Sequence, residues 1–192
     1  MSKKRQILID TALELFYRNG INSIGINEIL KSSGVAKRTL YTDFDSKEAL
    51  ILAALHQRHE RFIDWLENKL LDSQSDTQVI QNLFNALASW FDNQEPELGN
   101  FRGCFFINTS AEFSDTGSEI SRFCYQHKQQ VRSVIQRHLH NQDPLLLESI
   151  CLLKEGAITT AYMSGDSHTV IKHCHEVSRV LQERLRQPTV SE

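Results

Sequence analysis

Proline is scarce in this chain, with 3 residues in 192, and the 8 glycines are scattered. Proline blocks helix interiors and glycine weakens them, so little stands in the way of long helices. Long apolar runs are missing too, and none approaches the roughly 20 residues that a bilayer-spanning helix needs. The basic start Met1-Ser2-Lys3-Lys4-Arg5 leads into apolar residues broken by Asp10 and Glu14, so no secretory signal core follows. A cytoplasmic location with no membrane partner is expected. The four cysteines, Cys104, Cys124, Cys151 and Cys174, stand far apart without a Cys-x-x-Cys pair. That pattern disfavours a disulfide framework and a structural zinc site, and reduced thiols are expected. There is no H-E-x-x-H, no Gly-rich phosphate loop and no nucleophile–base arrangement, so neither an enzyme nor a cofactor is expected.

What is present fits a globular protein: 40% hydrophobic and 23% charged residues. The net charge of −3 argues at first against nucleic acid, but its distribution does not. Residues 1–50 hold eight Lys/Arg against six Asp/Glu, and the remainder holds 13 against 18. A basic head on an acidic body suits a small DNA-binding module joined to a part that should avoid DNA.

Apolar periodicity is helical almost throughout and predicts nine helices without a strand. Ile7, Ala12, Leu13, Leu15 and Phe16 mark a first helix stopped at Asn19-Gly20. Gly25 caps a second, over Ile26–Ser32, and Ser33-Gly34 breaks it. A third runs about Ala36 to Phe44. Asp45 or Ser46 caps a fourth, Lys47 to about Leu71, and with Asp45 as cap Glu48 completes a capping box. Further helices are expected over about 77–92, 103–113 and 119–141. Another starts at Asp143-Pro144 and runs to Gly165, and the last is capped by Ser167 and runs to about Gln187.

Two short helices around the turn Ser33-Gly34-Val35 have the dimensions of a helix-turn-helix. In such a motif the first turn of the second helix touches bases while flanking groups hold phosphates. Lys37, Arg38 and Thr39 occupy that turn. Leu40 and Phe44, four apart, pack inward, which turns Tyr41 and Thr42 toward DNA. Asn27 of the second helix joins this set, and Lys47, in the first turn of the next helix, is expected on a phosphate.

The run from Gly20 to Leu50, above all Ser33-Gly34-Val35-Ala36-Lys37-Arg38-Thr39-Leu40-Tyr41-Thr42-Asp43-Phe44-Asp45-Ser46-Lys47-Glu48-Ala49-Leu50, resembles the tetracycline-repressor (TetR) family of bacterial regulators. Arg102-Gly103-Cys104-Phe105-Phe106-Ile107-Asn108 resembles the start of the family's sixth helix. Leu152-Leu153-Lys154-Glu155-Gly156-Ala157 with Ala161 and Gly165-Asp166 resembles its eighth. The resemblance implies an all-α homodimer with a DNA-binding domain over 1–47 and a ligand-binding and dimerisation domain over 48–192. It implies double-stranded operator DNA and a small-molecule effector as partners. Regulation, in the sense of repression, is expected to end when the effector releases the operator.

The effector pocket is expected to take Phe62, Trp65, Trp90, Cys104, Phe105, Asn108 and Phe123, with Asn108 orienting a mostly apolar or aromatic ligand. The small residues Gly156, Ala157 and Ala161, next to Val177, Val180 and Leu181, are expected at the dimer interface. A second reading makes Cys104 a sensor of electrophiles or oxidants. A distant one is a metal-dependent hydrolase using His56 and His59. No third ligand accompanies that pair, and His173-Cys174-His175 cannot point three groups one way, so no metal site is expected. A body that binds another protein and holds no cavity is the remaining alternative.

Overall fold

The computed structural model describes residues 2–141 and 143–186, and among these it has nine α-helices and no strand. They are α1 (Lys3–Asn19), α2 (Ile26–Ser33), α3 (Lys37–Asp43), α4 (Lys47–Leu70), α5 (Asp76–Phe91), α6 (Phe105–Glu112), α7 (Glu119–His138), α8 (Pro144–Ser164) and α9 (Ser167–Arg186). The all-α, nine-helix reading therefore holds.

Several ends differ from the sequence reading, each for a local reason. Ala36 is the N-cap of α3, which begins at Lys37. Ser46, not Asp45, caps α4, because its hydroxyl accepts the Ala49 N–H at 3.1 Å. The Asp45–Glu48 box therefore does not form. Gly103, at φ 77°, lies outside the helical region and delays α6 until Phe105. The Asp166 carboxylate accepts the Thr169 N–H at 3.0 Å and so caps α9, which leaves Ser167 as its first helical residue. Gln187 lies outside the described residues.

The chain divides into two compact units, residues 1–61 with 104–128 and residues 62–103 with 129–192. α4 and α7 each contribute residues to both. In the first unit, Leu8, Ala12 and Phe16 recur down one face of α1 and are buried with Ile29 of α2, Leu40 of α3 and Leu50, Ala54 and Leu55 of α4. Burying one such Leu or Ile contributes about 1.5–3 kcal/mol.

The second unit is built on rings. Phe62, Trp65 and Trp90 meet pairwise with centroids 5.1, 5.6 and 6.2 Å apart, and Phe101 closes on Trp90 at 5.0 Å and on Phe91 at 4.6 Å. Polar ties pin its connections. Buried Asp76 accepts the His140 N–H and the Asn141 amide, each at 2.6 Å. Glu67 takes both Arg137 and His138. Burial works against ionising Glu67, but the bonds from His138 and Arg137 outweigh it and hold its pKa below the ordinary value.

Candidate functional site

α2, the turn and α3 form a continuous helix-turn-helix. Gly34 sits at φ 67° and its N–H donates to the Leu30 carbonyl, the left-handed stop that an L side chain resists. Val35 N–H donates to the Ser33 hydroxyl at 3.3 Å and fixes the turn. Leu40 is fully buried and Phe44 nearly so, with the Arg5 guanidinium 4.8 Å over the Phe44 ring. These anchors turn the other side of α3 outward. Lys37, Arg38, Tyr41 and Thr42 are exposed, Thr39 is half-buried, and Asn27 is exposed on α2. The Lys37 ammonium lies 6.0 Å from the Tyr41 ring. The Thr42 hydroxyl donates to the Arg38 carbonyl at 2.9 Å, which leaves its methyl as the group with no polar partner.

Lys47, expected on a phosphate, makes contacts within the protein. Half-buried, it donates through Nζ to the Ile21 carbonyl at 2.9 Å and lies 5.9 Å from the Phe16 ring. The N–H of the same Ile21 donates to the Glu112 carboxylate at 2.9 Å, and the next N–H, of Asn22, donates to its other oxygen at 2.6 Å. The loop between α1 and α2 is thus held from one side by a cation at the start of α4 and from the other by a carboxylate at the end of α6. Glu112 carried no signal in the sequence, since its partners lie 90 residues away.

Behind the helix-turn-helix lies a polar seam inside the same unit. Arg58 is buried with its guanidinium 4.8 Å over the Tyr17 ring, and burial lowers its pKa, opposed by Tyr17 and Cys104. His59 Nδ1 and His127 Nδ1 are 2.9 Å apart, and His127 stacks on Phe106 at 3.5 Å. His56 rests on Phe123 at 4.1 Å and His59 meets the same ring edge-on at 5.6 Å. Cys104 is buried, and the Lys128 ammonium donates to its sulfur at 3.2 Å. Burial pushes the Cys124 and Cys174 thiols up to about 11 and raises Cys151 as well.

The residues expected to share a pocket fall into two groups. Cys104, Phe105, Asn108 and Phe123 belong to the first unit, on or beside α6 and α7, where Phe105 meets Tyr17 edge-on at 5.8 Å. Phe62, Trp65 and Trp90 belong to the second, where their rings pack against one another. A cavity of about 740 Å³ runs along α6 and α7 in the first unit. A cleft of about 530 Å³ lies along α5 and α9 in the second. None of the seven expected residues lines either of them.

Of the expected dimer residues, Gly156, Val177 and Val180 are exposed and Leu181 is half-buried. Ala157 and Ala161 are buried within the protomer, so their small size serves packing inside the chain. The apolar surface that α8 leaves open is carried instead by Leu152, 72% exposed, Tyr162 and Met163, 79% exposed.

Two short helices joined by a glycine turn, with a basic outward first turn on the second, define a helix-turn-helix protein. Residues 8–54 match the family described as bacterial regulatory proteins, tetR family. The match spans the helix-turn-helix and the first residues of α4, about a quarter of the chain. It is 28% identical over 134 residues to the HTH-type transcriptional repressor ComR of Escherichia coli, an alignment covering 69% of this chain and 62% of that protein. Its fold is that of the crystal structure of SCO4454, a TetR-family transcriptional regulator from Streptomyces coelicolor, with a TM-score of 0.85 at 24% identity over 97% of this chain and 91% of that one. The reduced form of NemR from Escherichia coli shares the fold at a TM-score of 0.73 and 22% identity, over 93% of this chain and 96% of that one.

Proposed function

We propose that the chain is a DNA-binding transcription regulator, a repressor that acts as a homodimer in the cytoplasm and leaves its operator when a small molecule binds. Residues 1–47 are its DNA reader, and residues 48–192 carry ligand binding and dimerisation. The observation that carries this reading is the outward face of α3, where Lys37, Arg38, Thr39, Tyr41 and Thr42 stand on an apolar anchor of Leu40 and Phe44. Arg38 and Thr39 read bases, Lys37, Tyr41 and Asn27 hold phosphates, and the Thr42 methyl suits a thymine methyl. Lys47 acts on DNA through the loop it holds.

Homodimerisation uses the exposed apolar residues of α8 and α9, including Val177, Val180, Leu152 and Met163. The effector acts on the first unit, around Cys104, Phe105, Asn108 and Phe123, whose helix α6 ends in the Glu112 grip on the reader's loop. Phe62, Trp65 and Trp90 are assigned to the core. The test is selection of duplexes from a random pool by the full chain. Enrichment of a palindrome with half-sites about one helical turn apart (roughly 34–36 Å) is expected, and Arg38→Ala should weaken the selected site roughly 10–100-fold. A pool that yields no enriched sequence would overturn the reading.

A second reading is favoured by the Lys128–Cys104 contact. Cys104 has an ammonium on its sulfur, whereas burial disfavours the thiolates of Cys124, Cys151 and Cys174. An electrophile that alkylates Cys104 would displace that ammonium and act on α6 directly. N-ethylmaleimide should release DNA from the wild type and not from Cys104→Ser; equal release from both rejects this reading.

A further inference from the structure

The cavity of about 740 Å³ along α6 and α7 has a composition that selects its occupant. Its apolar walls are Phe106, Ile107, Phe113 and Tyr125. Ile107 and Tyr125 are left exposed there, large apolar side chains with no neighbour covering them. Two serines on the wall have already committed their protons: Ser110 donates to the Phe106 carbonyl at 2.9 Å and Ser121 to the Phe113 carbonyl at 2.6 Å.

The charged groups lining the cavity are both cations, Arg122 and Lys128, and no Asp or Glu lines it. Arg122 is exposed and has no ion-pair partner among the described residues. The nearby Asp115 turns its carboxylate to the Gly117 N–H at 2.9 Å. An apolar trough with the Arg122 guanidinium on its wall and no carboxylate in its lining excludes cationic ligands. It gives neutral ones no use for the cations, and it is too apolar for a polyphosphate. The volume is that of a site for a molecule of drug-like size.

We infer that this cavity is a binding site for amphipathic organic acids, with the carboxylate on Arg122 and the apolar body lying between Phe106, Ile107, Phe113 and Tyr125. Lys128 supplies a second cation, shared with Cys104. This names the effector class for the ligand-responsive reading and rests on it for its consequence, though not for binding itself. The consequence follows from α6. An occupant pressed on Phe106 and Phe113 bears on the helix whose last residue, Glu112, holds the Ile21 and Asn22 amides of the reader.

The test is calorimetric titration of the full chain with decanoate and with decyltrimethylammonium, both below their micellar concentrations. Decanoate is expected to saturate at one molecule per chain and to bind roughly ten-fold more tightly than the cation. Arg122→Glu, a change on the surface, should cost decanoate about the same factor and narrow or reverse the preference. Tyr125→Ser should weaken both amphiphiles. Equal affinity for the two, indifference to Arg122→Glu, or absence of saturation overturns the site. So does a sedimentation result in which Tyr125→Ser splits a dimer while decanoate fails to bind, since the face would then belong to a second copy. Saturable, Arg122-dependent binding in a protein that selects no DNA sequence keeps the site and removes the regulator reading.

Discussion

In the first unit, short helices are held by polar groups from distant parts of the chain, whereas in the second, long helices are held by rings. α2 has 8 residues and α3 has 7, lengths at which an isolated helix does not persist in water. Their placement depends on Leu40, Ile29 and the double grip on Ile21 by Lys47 and Glu112. α5, α8 and α9 have 16, 21 and 20 residues, and the second unit centres on Phe62, Trp65, Trp90, Phe91 and Phe101. A few directional bonds give a reader that one group can shift, because each bond is made or lost as a unit. A ring cluster tolerates small displacements and stabilises by area.

The largest effect should come from breaking the ring cluster. Trp90→Ala is expected to destabilise the chain by about 3–5 kcal/mol in denaturant unfolding. A loss below about 1 kcal/mol would mean that these rings are not the core of their unit. Breaking the reader's grip should cost less stability and more function. Glu112→Gln is expected to lose about 1.5–3 kcal/mol, because it removes the charge from two hydrogen bonds to backbone N–H groups. It should also weaken DNA binding without changing the salt dependence, since no phosphate contact is lost.

Lys47→Met sharpens the same point. Its expected effect is about 1 kcal/mol of stability with the log–log salt slope unchanged, measured by anisotropy across a salt series. A slope smaller by roughly 0.9 would place Lys47 on a phosphate after all.

The smallest effect is a pH term in the second unit. Burial holds the His175 pKa below the ordinary histidine value, and its Nε2 lies 3.2 Å from the Asn85 side-chain oxygen. The folded state therefore favours the neutral ring. This stability is present above the ordinary histidine range and is lost as pH falls through the lowered native value. His175→Gln should flatten thermal stability between pH 7 and pH 5 relative to wild type, and identical profiles would show that His175 contributes none of that slope.

The helix-turn-helix was legible because its signals are local. Gly34 stops α2, Leu40 and Phe44 recur one turn apart, and the residues between them are left facing outward whatever else the chain does. Caps were less legible where two candidates stood side by side. Ser46 was chosen over Asp45, and Asp166 over Ser167, by which side chain reached the third amide of its helix. The aromatic residues named for a pocket were legible as large and apolar but not as belonging to different units. Of the small residues in α8, Ala157 and Ala161 face the interior while Gly156 stays exposed, because periodicity shows that a face is close-packed without showing what packs on it.

The sequence by itself determined the all-α class, the order and approximate span of the helices, the glycine turn and the outward basic face of α3. All of these follow from φ/ψ preferences and a period of 3.6 residues, which act over a few positions. Only the tertiary structure decided that Lys47 and Glu112 share the Ile21 peptide, that Lys128 lies on Cys104, and that Arg122 faces an apolar cavity with no acid to meet it. Contacts across dozens of residues leave no periodic trace, because a hydrogen bond depends on where two chain segments meet and not on the residues between them.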